Sequence, residues 1–117
     1  MKCFVSYTTR DNEVTADLLQ SFATELRKTS EVFIDMIDNN SADKQSRVIS
    51  ELDSSDIMIL IESASIYKSE WVSIEIQRAE ENHIPIKKIS ITELTNFTRN
   101  QTINFATLRN KKTIKKQ

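Results

Sequence analysis

The sequence predicts a doubly wound α/β sandwich, a parallel sheet of about five strands with helices on both faces, on three observations. Short apolar runs of strand length alternate along the chain with stretches of helical periodicity. The strand-like runs are apolar nearly throughout rather than at every second residue, as in DIMILI at 56–61, which marks strands covered on both faces. The 117 residues are the length of one domain with one core, here expected to span 1–117.

The elements follow in order. KCFVSY at 2–7 is a strand, and residues 10–28 place Val14, Leu18 and Phe22, then Leu19, Ala23 and Leu26, at helical spacing. EVFID at 31–35 is a second strand, and KQSRVISEL at 44–52 a short helix carrying Val48, Ile49 and Leu52 on one side. After the third strand comes a helix over roughly 69–82, then a fourth strand, IPIKKISI, at 84–91. TINF at 102–105 is the candidate fifth strand, before a basic terminal helix, the two falling within about 92–117. Right-handed crossovers then gather ligands where the strand carboxyl ends meet their loops, here TTRDN, MIDNNSAD and ESASIYKS.

Composition excludes several classes of function. The chain has no glycine, so no P-loop and no dinucleotide fingerprint is present, because both need glycine for close backbone approach to phosphate. Turns must come from Asn, Asp and Ser, as in DNNSAD at 38–43 and DSSD at 53–56. Five of the 16 Lys and Arg fall in the last nine residues, RNKKTIKKQ, which hold no acid. The body is therefore acidic, which argues against nucleic acid as a partner, and the basic end suits the negative pole of a terminal helix. No apolar run approaches the ~20 residues of a membrane span and no secretory leader is visible, so a soluble, cytoplasmic protein without a membrane partner is expected. The single cysteine, Cys3, alternates with Val5 in an apolar strand and reads as a buried, inert thiol.

The helix SEWVSIEIQRAEE at 69–81 carries the most informative pattern. Residues four apart share a face, so Val72, Ile76 and Ala79 make the core stripe while Trp71, Glu75 and Arg78 make the stripe beside it. Helix geometry alone gives a surface Glu75 paired with Arg78, next to a partly buried Trp71. Ser69 reads as the helix N-cap, and His83, the only histidine, as an exposed or C-capping residue.

At this point four pieces in order resemble the TIR (Toll/interleukin-1 receptor) domain family. CFVSYTTRD resembles its first box, VFID with the polar loop after it resembles its second strand and BB loop, SSDIMILIESASIYKSEWVSIEI resembles the stretch from the third strand into a helix with a Trp-x-x-x-Glu pattern, and IPI fits the next strand. The resemblance covers residues 2 to about 91 and implies a flavodoxin-like fold. It also implies a role for Glu75: in enzymatic members of the family the glutamate of that pattern cleaves NAD+ at the nicotinamide–ribose bond, whereas animal receptor and adaptor members mostly act as scaffolds. Trp71 and Glu75 match the enzymatic pattern, and the context it implies is a microbial immune or defence system that depletes NAD+ or makes a cyclic ADP-ribose-type signal.

The chemistry suits a single carboxylate. Loss of a pyridinium leaving group produces neutral nicotinamide and needs little acid, but builds an oxocarbenium-like cation on the ribose. One carboxylate in a low-dielectric cleft stabilises that cation, with NAD+ as substrate and with no metal or further cofactor required. The remaining candidates lie at strand ends: Ser6, Tyr7, Arg10 and Asp11 after the first strand, where an aromatic can stack on a base and Arg10 can meet pyrophosphate, together with Phe33 and Ser63. Structural readings stand beside these, namely strand-end packing for Tyr7, helix N-capping for Asp11 and core packing for Phe33.

Two departures from the family stand out. The BB loop lacks its usual glycine, and Glu62 occupies a strand end where an apolar residue is common. The resemblance further implies a homo-oligomer or another TIR or regulatory protein as partner, with a neighbour's BB-loop region completing the site and Ile37 at the contact. A non-catalytic TIR–TIR interaction module, and a nucleoside or nucleotide transferase on a similar fold, are the alternative functions.

Overall fold

The computed structural model of the chain describes residues 1–100. Four parallel strands, β1 (Lys2–Ser6), β2 (Glu31–Phe33), β3 (Ile57–Glu62) and β4 (Ile86–Ser90), form one sheet in the order β2-β1-β3-β4. The candidate fifth strand at 102–105 and the terminal basic helix lie outside the described residues. The chain reverses its direction of travel across the sheet between β1 and β3, which makes the carboxyl end of β1 the topological switch point.

Strand alternation divides the core in two. Cys3 and Val5 of β1 and Ile57, Ile59 and Ile61 of β3 face α1 (Ala16–Leu26) and α5 (Ile91–Asn100), where Leu19, Phe22, Leu26, Leu94 and Phe97 close the layer. Phe4 and Met58 face the other way, toward α3 (Lys44–Asp53) and α4 (Glu70–Glu81), and pack with Val48, Leu52 and Ala79. Cys3 is fully buried in the first layer and its thiol is pushed up to about 11, by burial above all, which matches the inert thiol read from the sequence.

The local chemistry of the ends explains most boundaries. Helix α1 starts at Ala16 rather than near residue 10, because Thr15 caps it by accepting from the Leu18 N–H at 3.1 Å, and the residues before it form turns. Ser69 caps α4 by accepting from the Val72 N–H at 3.2 Å, as its position predicts. At the other end of α4 the exposed His83 adopts φ 58°, the left-handed position that glycine usually fills. The Ile84 N–H then donates back to the Ala79 carbonyl, and both side chains are buried in the same cluster, which closes the helix without glycine.

Two elements differ from the sequence reading. The segment after β2 opens as a single helical turn, α2 (Asp35–Asp38), so the second strand ends at Phe33 and the loop proper is shorter than MIDNNSAD. Ile37, expected at a contact with another molecule, is partly buried against the core and keeps part of its surface exposed, and the more exposed apolar residue of the turn is Met36. Helix α5 takes Ile91, the last residue of the expected fourth strand, and the residues up to 100, to which the sequence reading gave no element of their own before the candidate strand at 102–105.

Candidate active site

Parity along β1 decides which side chains meet at the switch point. Phe4 and Ser6 point to the layer of α3 and α4, so the last residue of β1 faces the first turns of α4. There the Ser6 hydroxyl donates to Glu75 Oε1 at 2.7 Å, a bond across 69 residues that is itself buried. Glu75 is 5 % exposed, so the carboxylate expected on a helix shoulder lies inside the molecule.

Arg78, the ion-pair partner that helix spacing suggests for Glu75, points elsewhere. It donates to both oxygens of Asp53 at 2.8 and 2.7 Å. No cation among the described residues pairs with Glu75, and its Oε2 has no described hydrogen-bond partner. Burial raises its pKa to about 7; the Ser6 hydrogen bond pulls the other way, and the nearby charge of Asp35 adds to the rise. A carboxyl poised near neutrality in a cleft is a common mark of a working group.

The cleft is a cavity of about 170 Å³ at the carboxyl end of β1. Glu75 and Trp71 form its α4 wall, Tyr7, Thr8 and Thr9 line it from the segment after β1, and Asp35 closes it from α2. The Tyr7 hydroxyl accepts from the Met36 N–H at 2.9 Å and fixes α2 over the strand end. Burial first, opposed by that N–H and aided by Asp35 and Glu75, pushes the Tyr7 phenol up to about 12, so it stays a neutral donor. Trp71 is shared with two further depressions. One, of about 130 Å³, is lined also by Asp35, Lys44, Gln45 and Val48. The other, of about 630 Å³, opens along α3 past Ser46, Ile49 and Ser50. The second is the largest hollow described, yet its one acidic group, Asp53, is exposed and neutralised by Arg78, so the chemistry points to the smaller cleft.

Of the residues singled out in the sequence, Glu75, Trp71 and Tyr7 line this cleft, and Ser6 stands behind it, bonded to Glu75. The other four do not line it. Phe33 is 3 % exposed and stacks on Phe4 with ring centroids 5.7 Å apart, the core position that competed with a ligand role. Arg10 is exposed and donates from Nη1 to the Lys68 carbonyl at 3.2 Å. Asp11 is not a helix cap, because Thr15 holds that place; it accepts from the Ser65 N–H and hydroxyl, both at 2.8 Å. Ser63 is buried, and its hydroxyl stands by Asp11 without meeting hydrogen-bond geometry. That hydroxyl, then the two Ser65 groups, hold the Asp11 carboxyl below its usual value. Arg10 and Asp11 thus tie the segment after β1 to the turn before α4, bracing the cleft from outside. Glu62 accepts from the Tyr67 hydroxyl at the mouth of β3 and is partly exposed.

The lining residues that the sequence reading does not place at the site are Asp35, Phe4 and Val5, whereas Thr8 and Thr9 belong to the loop TTRDN where ligands were expected to gather. A signal for Asp35 exists in the topology: β2 pairs with β1 in the register Phe4 with Phe33, so the residue two past Phe33 arrives beside Ser6. Among the described residues no three His, Cys, Asp or Glu side chains converge as a metal site would require, and no helix is long and apolar enough to cross a membrane.

A four-stranded parallel sheet with flanking helices and a buried carboxyl at its switch point defines a flavodoxin-like α/β domain. The family model described as TIR domain matches residues 3–116, and the chain belongs to the TIR domain family. A search of curated proteins finds no match.

Proposed function

We propose that this TIR domain cleaves NAD+ at the nicotinamide–ribose bond, with Glu75 as the catalytic carboxylate. The observation that carries the reading is the buried carboxyl of Glu75, oriented by Ser6, facing a cleft beside Trp71 and lacking a described counter-cation. The C1′–N1 bond breaks with its electron pair passing to the pyridinium nitrogen, which releases neutral nicotinamide. Ionised Glu75 opposes the positive charge left on the ribose, and the buried setting strengthens that attraction relative to water. Ser6 occupies one oxygen of Glu75 and leaves the other for a ribose hydroxyl, while the indole of Trp71 offers a face for the departing ring. Attack of water at C1′ then gives ADP-ribose and a proton, whereas attack by the adenine of the same molecule gives a cyclic product, so the output is NAD+ depletion or a cyclic ADP-ribose-type signal in a defence pathway.

A cavity of about 170 Å³ is small beside the ~300–1,000 Å³ of sites that enclose a drug-sized ligand, so a dinucleotide extends beyond it. The exposed Met36, beside Asp35 on the cleft's rim, is the place where a second copy would complete the enclosure. Incubation of purified protein with NAD+, with nicotinamide followed by chromatography over a hundredfold dilution and light scattering in parallel, tests both parts. The expected result is nicotinamide release whose specific activity rises with protein concentration. Release at constant specific activity from a monomer removes the second copy; no release at any concentration removes the enzyme and leaves an interaction module.

A further inference from the structure

We propose that Asp35 is a second acidic wall of the Glu75 cleft that selects for a positively charged ring, so that the cleft takes N-substituted pyridinium cations in preference to neutral pyridines. This rests on the reading of that cleft as the place where the nicotinamide end of NAD+ is held.

The charge inventory of the cleft is one-sided. Its walls carry two carboxyl groups, Asp35 and Glu75, the hydroxyls of Tyr7, Thr8 and Thr9, and the indole of Trp71, with no Lys, Arg or His among them. No basic group among the described residues forms an ion pair with Asp35 or Glu75: Lys44, which shares the neighbouring depression with Asp35 and Trp71, donates from Nζ to the Asn39 carbonyl at 2.7 Å, Arg10 donates to the Lys68 carbonyl, and Arg47 donates to Glu51 at 2.8 Å. A cation entering the cleft therefore meets two carboxyl groups without an ion-pair partner and an aromatic wall, a combination that binds pyridinium and quaternary ammonium groups. An anion meets the reverse, which keeps the pyrophosphate of a dinucleotide outside the cleft, toward the Trp71 side where Lys44 lies.

Asp35 is held for this task and is not a stray surface acid. Its Oδ1 accepts from Asn39 Nδ2 at 2.6 Å, and Asn39, 7 % exposed, also donates to the Lys44 carbonyl at 3.0 Å and accepts from the Ser41 N–H at 3.1 Å. The buried amide of Asn39 thus pins the first residue of α2 to the start of α3, while Tyr7 anchors the next residue through its N–H. Asp35 stays on the cleft wall with its carboxylate already oriented, and little further ordering is needed on binding.

The chain's only tryptophan, Trp71, lines the cleft, so its fluorescence reports ring binding without turnover. The test titrates 1-methylnicotinamide, a cation, and nicotinamide, its neutral counterpart of similar shape, into the protein at pH 8, where Glu75 is mostly ionised. The parent protein should bind the cation more tightly. Asp35→Asn, which keeps a partner for Asn39, should weaken the cation about tenfold and leave the neutral ring within about twofold. An unchanged cation preference in Asp35→Asn overturns the proposal, as does an equal loss for both rings, which would make Asp35 a merely structural residue. If Asp35→Asn fails to fold, Asp35→Ser takes its place under the same criteria. Nicotinamide release from NAD+ is measured on the same preparations. Ring selection without release rejects the proposed reaction and keeps the role of Asp35, whereas release with selection unaffected by Asp35→Asn does the opposite.

Discussion

Two neighbouring turns of α4 treat a carboxylate in opposite ways. Toward its C-terminal end, Arg78 grips both oxygens of Asp53, Asn82 adds a third bond at 3.0 Å, and the group is exposed. The Arg78 hydrogen bonds hold the Asp53 carboxyl below its usual value, so its charge is matched and settled. Two turns or less toward the N-terminal end, Glu75 is buried with one hydroxyl for company and a second carboxylate, Asp35, in the same cleft. One arrangement joins α3 to α4 across the surface. The other holds a charge in reserve at a cost to stability, which is the arrangement expected where a cation develops during a reaction.

The largest effect that sharpens this contrast is on stability. Because burial raises the pKa of folded Glu75 from 4.5 to about 7, the folded state binds the proton more tightly than the unfolded chain. The associated stability is fully present below about pH 4.5 and is lost as pH rises through about 7. Glu75→Gln lacks this penalty, so thermal melts should show the variant gaining on the parent between those pH values by up to about 3 kcal/mol and holding that gain above them. A variant less stable than the parent at pH 8 would mean that the carboxylate is matched after all.

Trp71→Ala comes next. A half-buried indole packed against the Phe4 layer should be worth somewhat less than the ~3–5 kcal/mol of a fully buried one, and its loss should remove nicotinamide release as well as lower the melting temperature. Unchanged melting and unchanged turnover would place the ring outside both core and cleft.

Ser6→Ala is smaller, about 1 kcal/mol for a hydrogen bond to the carboxylate. Since Ser6 donates to Glu75 and lowers its pKa, its removal should move the rising limb of the activity–pH profile to higher pH. A limb that stays in place, or moves down, contradicts the pairing seen between the two residues.

The smallest effect belongs to the next turn of the helix. Arg78→Ala breaks an exposed ion pair and should leave nicotinamide release at the parental level, with a slight fall in melting temperature that added salt erases. A large loss of turnover would join two groups whose partners the structure keeps separate.

Much of the fold was legible because it rests on local pattern. Apolar runs located all four described strands, and Ser69 announced the start of α4. Helix α5 was hidden by three threonines and an isoleucine, which read poorly as helix, although Ser90 and Glu93 form a reciprocal cap: the Glu93 N–H donates to Ser90 Oγ at 3.0 Å and the Ser90 N–H to Glu93 Oε1 at 3.1 Å. Leu94 and Phe97 supply its buried stripe, Phe97 meeting Phe22 edge-on at 5.2 Å.

The site was legible only in part, for a physical reason. Trp71 and Glu75 share a helix face, and spacing shows that. Whether the face meets Arg78 or Ser6 depends on how β1 lies against α4, a contact across 69 residues that no periodicity encodes. Asp11 shows the same limit. Its type and place fit a helix cap, yet Thr15 wins that role and Asp11 serves the distant Ser65 instead. Asp35 reaches the cleft only through the pairing of β2 with β1.

The central claim is that the unmatched carboxylate of Glu75 breaks the nicotinamide–ribose bond of NAD+. Nicotinamide release from NAD+ by the parent protein and by Glu75→Gln, measured side by side at pH 8 and equal concentration on samples shown by melting to be folded, tests it most directly. The account predicts release by the parent and a fall of at least about 10²–10³-fold in the variant. Release by Glu75→Gln at the parental rate would contradict it.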